Sequence, residues 1–306
     1  MAEYALPAGV RVLERGWLSS NNILIQGRDQ CVLIDSGYYT HAAQTLALVQ
    51  ASLAGRPLDL LLNTHLHSDH CGGNAALQAA YVQMQTHIPP GHAEAVRQWD
   101  LETLGYAQAG QDCPQFRADA CLPVGAEIRL GDTPWQVHPA PGHDPHSVIL
   151  FEPLSRTLVS ADALWERGFG VVFLELEDHV GFAAVASTLD LIESLRPAQV
   201  IPGHGSVFTD VAQALAVARQ RLDSFVSDPA RHDRHAAKVL VKFKLLSWQQ
   251  VERDTLLQWV QATPHVYRLL AKCAPTLETG QALDGLLQDL QKSGALRLQG
   301  GMVLND

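Results

Sequence analysis

The sequence predicts a mixed α/β or α+β fold, and two observations carry that expectation. Short β-type runs precede longer helical stretches in two rounds, 10–53 with 58–80 and then 127–159 with 182–226. Seven His and Asp side chains suited to chemistry stand just past the ends of such runs, the edge where open α/β sheets place their sites. A third observation divides the chain. Residues 1–206 hold no Lys, and 22 acidic residues face 10 basic ones there, a balance of -12. Residues 207–306 carry a balance of +2 and all five Lys. A larger domain over 1–226 and a smaller, mostly helical one over 227–306 are therefore expected.

The elements follow in order. Residues 10–13, 22–26 and 31–34 are β-type runs separated by Gly or Asp turns, and Asp35-Ser36-Gly37 closes the third. Helical periodicity fills 41–53 and stops at Gly55, with Pro57 beyond. The apolar run 58–62 is short enough for a buried strand; 81–86 reads as another strand and 90–102 as a helix. Residues 103–122 lack a clear period and read as an irregular loop or broken helix. Strands are expected at 127–130, 135–138, 147–151, 157–159 and 199–201, and 171–176 is apolar and β-branched without a settled assignment. Helices are expected at 182–195 and 211–226. Beyond the break at Asp228-Pro229, helical stretches cover 235–246, 249–260, 264–272 and 283–293, and a hairpin covers 295–304.

The chemistry concentrates in Asn63-Thr64-His65-Leu66-His67-Ser68-Asp69-His70-Cys71-Gly72-Gly73. Neutral imidazole and carboxylate are the common non-sulfur ligands of zinc and related ions. On a helix, His65 and His67 would lie about 200° apart and could not share an ion, so an extended or turning backbone is expected there. Two further stretches repeat one device: Pro141-Gly142-His143 and Pro202-Gly203-His204 each deliver a His past a strand end. Asp162 closes the strand between them.

In this order, His-x-His-x-Asp-His, His, Asp, His, the chain resembles the metallo-β-lactamase superfamily across nearly all of 1–210, and 64–74 most resembles its glyoxalase II-like branch. The resemblance implies a four-layer αββα sandwich. It implies one metal on His65, His67 and His143, another on Asp69, His70 and His204, and Asp162 shared between them. Two divalent ions are implied, zinc first, with manganese or iron as alternatives. The implied reaction is hydrolysis by a metal-bridging hydroxide on a small thioester or ester, with Asp69 the candidate to pass a proton to the leaving group. Asp35 is expected to orient a metal-bound His through its second nitrogen. The segment after Asp162 is expected to wall the pocket through Trp165, Phe169 and Phe173. His146 is a further pocket candidate, its alternative being a cap on the next strand.

Other readings stay open at this point. The same ions could serve a phosphodiesterase or endoribonuclease, a single iron could serve a sulfur dioxygenase, and a metal-binding protein without turnover is the bland alternative. No Tyr stands between Asp162 and His204, which disfavours a lactonase, and no counterpart of a glutathione-binding region is seen. Helices ending in a hairpin make 227–306 resemble a winged helix. Its weak basic balance disfavours nucleic acid, and covering the active-site mouth or a homodimer contact is the preferred role. The overall charge of -10 gives no general attraction to nucleic acid, and no apolar run reaches membrane-spanning length. Five Cys without a CxxC spacing suit reduced thiols and a cytoplasmic protein.

Overall fold

Alternation along the strands dictates the layers. In Asn22–Gln26, Ile23 and Ile25 point one way and Leu24 the other. Both directions are buried, so the strand must be covered on both faces. A computed structural model describes residues 5–176 and 180–306 and shows that arrangement. Among the described residues, six strands form one sheet in chain order: β1 (Val10–Leu13), β2 (Asn22–Gln26), β3 (Cys31–Ile34), β4 (Leu60–Leu62), β5 (Gln85–Ile88) and β6 (Ala120–Cys121). β1 to β3 are antiparallel, and β3 to β6 run parallel. A second sheet orders β11 (Gln199–Pro202), β10 (Thr157–Ala161), β9 (Val148–Glu152), β8 (Thr133–Pro139) and β7 (Glu127–Leu130). Only its β10–β11 pair is parallel.

The inner core joins the two sheets. Ile23, Ile25, Ile34 and Leu62 from the first pack with Trp135, Val137, Leu150 and Val159 from the second. On the outer face of the first sheet, Leu24, Leu33 and Leu61 pack against Val49 and Leu53 of helix Ala42–Leu53 and Leu77 of helix Asn74–Ala80. The αββα expectation thus holds for this part of the chain. At the C-terminal ends of β3 and β10, the non-glycine residues Asp35 and Ala161 take positive φ, 58° and 46°. Both adjoin candidate ligands, and such strain gathers where a site over-determines the backbone.

Several local expectations are corrected. The strand expected at 81–86 is β5, shifted toward the C-terminus, because Tyr81 ends the preceding helix by donating its N–H to Leu77 and accepting from Met84. The helix expected at 90–102 is a 3-10 turn, Pro90–His92, plus Ala93–Gln98, stopped by Trp99 at φ 54°. The region 171–176, left unassigned above, carries the short helix Phe173–Leu176. The stretch 249–260 is not one helix: β12 (Gln250–Glu252) precedes Arg253–Ala262. β12 pairs with β14 (Met302–Asn305), which pairs with β13 (Leu296–Gln299), so the expected hairpin is a three-stranded sheet.

The chain divides into two units, 1–104 with 113–222, and 105–112 with 223–306. The second unit includes helices Pro229–Trp248, Arg253–Ala262, Pro264–Cys273 and Thr279–Lys292. Residues 105–112, unreadable in sequence, are held there by Lys244. Its Nζ donates to the Gly110 carbonyl at 3.1 Å and sits 4.8 Å from the Trp248 ring centre. Two histidines of this unit are buried, His232 against Phe225 and His265 beside Arg268. Burial pushes both down to about 4, helped by His235 and Lys272 for the first and by Arg268 for the second.

These histidines bind protons more weakly folded than unfolded. Their contribution to stability is therefore complete above the ordinary value of 6.5 and is lost as pH falls toward about 4. Denaturant unfolding should shift to lower midpoint between pH 7 and pH 4.5. Replacing both, His232→Leu with His265→Asn, should flatten the part of that shift due to the second unit. An unchanged pH slope in the double variant would contradict the assignment.

Candidate metal centre

Each ligand candidate is placed by a strand end. Past β4, the backbone bends at Thr64 and His65 and is extended at His67, with φ -64° and ψ 148°. It then winds into one helical turn, Ser68–Cys71, which carries Asp69 and His70. The loop expected for all four is thus half loop and half helix. β8 leads to His143, β10 to Asp162 and β11 to His204. Among the described residues, the donor atoms of His65, His67 and His143 lie within 4.8 Å of one another, and so do those of Asp69, His70, Asp162 and His204.

The hydrogen bonds fix which nitrogen faces the centre. His143 donates from Nδ1 to the Val171 carbonyl at 2.6 Å, so its Nε2 presents a lone pair inward. Asp35 holds two more imidazoles. It accepts from His70 Nδ1 at 2.8 Å and from the Thr64 N–H and Oγ1–H at 2.9 and 2.8 Å. With its proton spent on Asp35, the Thr64 hydroxyl accepts from His65 Nδ1 at 3.2 Å. The expected role of Asp35 toward a ligand histidine thus has a direct geometric counterpart at His70 and a relayed one at His65. Inside the first group, His67 Nδ1 stands 3.1 Å from His65 Nε2 and 2.7 Å from His143 Nε2. At least two of these three nitrogens present lone pairs to the same point, which a cation would satisfy.

Asp162 faces both groups. Its Oδ2 is 3.3 Å from His143 Nε2, and its Oδ1 is 3.4 Å from His70 Nε2 and 3.9 Å from His204 Nε2. Asp69 Oδ2 lies 3.1 Å from His204 Nε2. His70 Nε2 is buried with no hydrogen bond among the described residues, an orphan facing Asp162 Oδ1 at 3.4 Å and Asp69 Oδ2 at 3.9 Å.

The electrostatics agree with that reading. Burial and the neighbouring imidazoles hold His65 well below its ordinary value, and burial with His143 brings His67 to about 4. Both stay neutral, as ligands must. Burial would lower His70 as well, but Asp162, Asp35 and Asp69 outweigh it and hold a proton there. Burial would raise Asp69 and Asp162, yet the surrounding imidazoles, His70 foremost, keep both below the usual carboxylate range. A buried cluster of ionised carboxylates around one imidazolium is a place where a divalent cation can replace the proton.

Of the pocket candidates, Trp165 and Phe173 adjoin the centre. Trp165 packs edge-on against His204 at 5.5 Å, and Phe173 lies 4.8 Å from the His67 ring. Phe169, the third of these candidates, is 1% exposed and buried with the core. His146 is exposed and packs on His92 at 4.6 Å; its N–H donates to Asp144. Sequence reading missed Trp17, stacked on His204 at 5.3 Å and 58% exposed. It also missed Asn21, which pins the His204 loop through the carbonyls of Pro202 and Gly205. Two glycines serve the centre: a Cβ on Gly203 would overlap Asp162 Oδ1, and one on Gly170 would overlap His143 Nδ1.

Known proteins resemble this chain in sequence and in fold. The family model described as Metallo-beta-lactamase superfamily matches residues 15–204. A hydroxyacylglutathione hydrolase of Anaeromyxobacter dehalogenans is 32% identical over 174 residues, 56% of this chain and 57% of that protein. The match thus spans little more than half of that curated relative. A beta-lactamase domain protein from Burkholderia ambifaria, 20% identical, superposes with a TM-score of 0.61 over 99% of this chain and 94% of its own, a likeness of fold. TTHA1623, solved in a di-iron-bound form, is 28% identical with a TM-score of 0.52 over 68% of this chain and 98% of its own.

Replacing Asp35 by Asn should leave the fold and lower metal affinity about 10- to 100-fold, since His70 and Thr64 lose their shared acceptor. Competition against a chelator measures this. Wild-type affinity in Asp35→Asn would exclude the orienting role.

Proposed function

The chain belongs to the metallo-beta-lactamase superfamily, and on that premise we propose that it is a metal-dependent hydrolase of small thioesters or esters. The observation that carries the proposal is Asp162, whose two carboxylate oxygens face two separate groups of nitrogen and oxygen donors. That is the arrangement a pair of ions with a shared ligand requires. When bound, two divalent cations would supply Lewis acidity and bring the pKa of water from about 15.7 to about 7. His65, His67 and His143 would hold one ion; Asp69, His70 and His204 would hold the other. Zinc suits a donor set of imidazole and carboxylate, and manganese or iron fits the same set.

The chain's own residues have the remaining tasks. Asp35 and the Val171 carbonyl keep His70 and His143 turned with Nε2 inward. Asp69, held ionised by His70 and His204, is suited to accept a proton and hand it to the leaving group rather than to begin as an acid. Phe173 beside His67, and Trp165 with Trp17 beside His204, form apolar flanks against which the non-reacting parts of a substrate can pack. The relative from Anaeromyxobacter favours a thioester over other carbonyl substrates. For the C-terminal unit, helices with a three-stranded sheet support the winged-helix-like reading, and a homodimer contact is the proposed role.

The test is a panel of thioesters, lactones, phosphodiesters and β-lactams, offered to protein loaded in turn with Zn, Mn and Fe. Thioester or ester turnover is expected; turnover of phosphodiesters alone would replace the proposal. In parallel, His67→Ala should empty one ion position by elemental analysis and lower kcat/KM by at least about a thousandfold, with the unfolding curve little changed. Full activity with both ions retained would remove His67 from the site.

A further inference from the structure

The indole of Trp165 does more than line a wall. Its Nε1–H donates to Asp162 Oδ1 at 3.2 Å, the oxygen turned toward His70 and His204. We propose that Trp165 is a positioning residue that orients the carboxylate shared by the two ion sites, so that Oδ1 serves the Asp69, His70 and His204 group and Oδ2 serves the other. The inference rests on the dinuclear reading above.

The torsion that turns a carboxylate about its last bond is soft and nearly two-fold, so Asp162 has no intrinsic preference for one orientation. Among the described residues, the three imidazoles within 4 Å of the Asp162 carboxylate, those of His70, His143 and His204, are themselves candidate ligands. Those imidazoles turn to the ions once ions bind. Among the described residues, the indole N–H is the one side-chain donor to that carboxylate that is not itself a candidate ligand, and it touches only Oδ1. Gly203 keeps that side open for Oδ1, since a Cβ there would overlap it.

Trp165 is itself held. Its backbone N–H donates to the Gly168 carbonyl at 2.6 Å, closing a tight turn. Its ring meets Trp17 edge-on at 5.4 Å and His204 at 5.5 Å, while Trp17 lies flat on His204 at an interplanar angle of 10°. One side chain thus bears on two ligands of the same group, the shared Asp162 through a hydrogen bond and the terminal His204 through its ring.

The test is calorimetric titration of the metal-free full-length chain with Zn²⁺. The wild type should show two binding events. Trp165→Phe keeps a ring and loses the donor; one event should weaken about tenfold while the other stays near its wild-type affinity. Trp165→Gln, which restores an N–H without the indole, should recover much of the weakened event. Two events of wild-type affinity in Trp165→Phe would overturn the assignment and leave the dinuclear reading intact. A single event in the wild type would remove that reading, and this assignment with it. Should Trp165→Phe bind no ion, Trp165→Gln decides: two events support the donor role, and one lost event despite the restored N–H refutes it.

Discussion

One buried carboxylate ties the centre together. Asp35 is 2% exposed, and it escapes the penalty for a buried charge by accepting from His70 Nδ1, the Thr64 N–H and the Thr64 hydroxyl. Through Thr64 it reaches His65 as well. A ligand from each donor group is therefore turned by the same anion, which stands at the end of β3 while both ligands stand past β4. The parallel pairing of β3 with β4 sets their spacing, Ile34 opposite Leu62. The positive φ of Asp35 is the local strain that lets its side chain reach back across that pair.

The other half of the centre comes from the second sheet, and there the backbone is arranged by small residues and amides. Gly203 and Gly170 leave room for Asp162 and His143 where any side chain would collide. Asn21, just before β2, ties the loop after β11 with its amide and its backbone N–H, which reaches Gly203 at 2.7 Å. Ser20 donates its N–H to the Asp69 carbonyl, and Ser36 donates to that of His70. The donors are thus held by main-chain hydrogen bonds across loops from both sheets. That is the preorganisation a centre needs if its side chains are to keep inward-facing nitrogens without rearranging.

The C-terminal unit has its own logic. Lys244 is a buried cation whose charge is met by the Gly110 carbonyl, by Asp112 at 3.7 Å and by the face of Trp248. The Lys residues that set 207–306 apart in sequence include this one, so part of that charge shift serves internal packing rather than a basic surface. The segment 105–112 belongs with this unit although it interrupts the other in sequence, which is why no periodicity marked it.

The sequence by itself determined the two rounds of strand and helix, because apolar alternation is a local property that each strand writes out in full. It also determined which seven side chains could meet, because His and Asp delivered one after another past successive apolar strand ends have few other uses. What it could not write was distance between loops. Trp17 and Asn21 sit in a stretch with no ligand of its own, and only the closing of β2 against the rest of its sheet carries them to His204. Phe169 reads like Trp165 and Phe173 in sequence, yet burial separates them, since which face of an irregular segment meets water depends on everything packed against it. β12 was hidden for the same reason: a three-residue strand exists only because β14, some fifty residues later, supplies its hydrogen bonds.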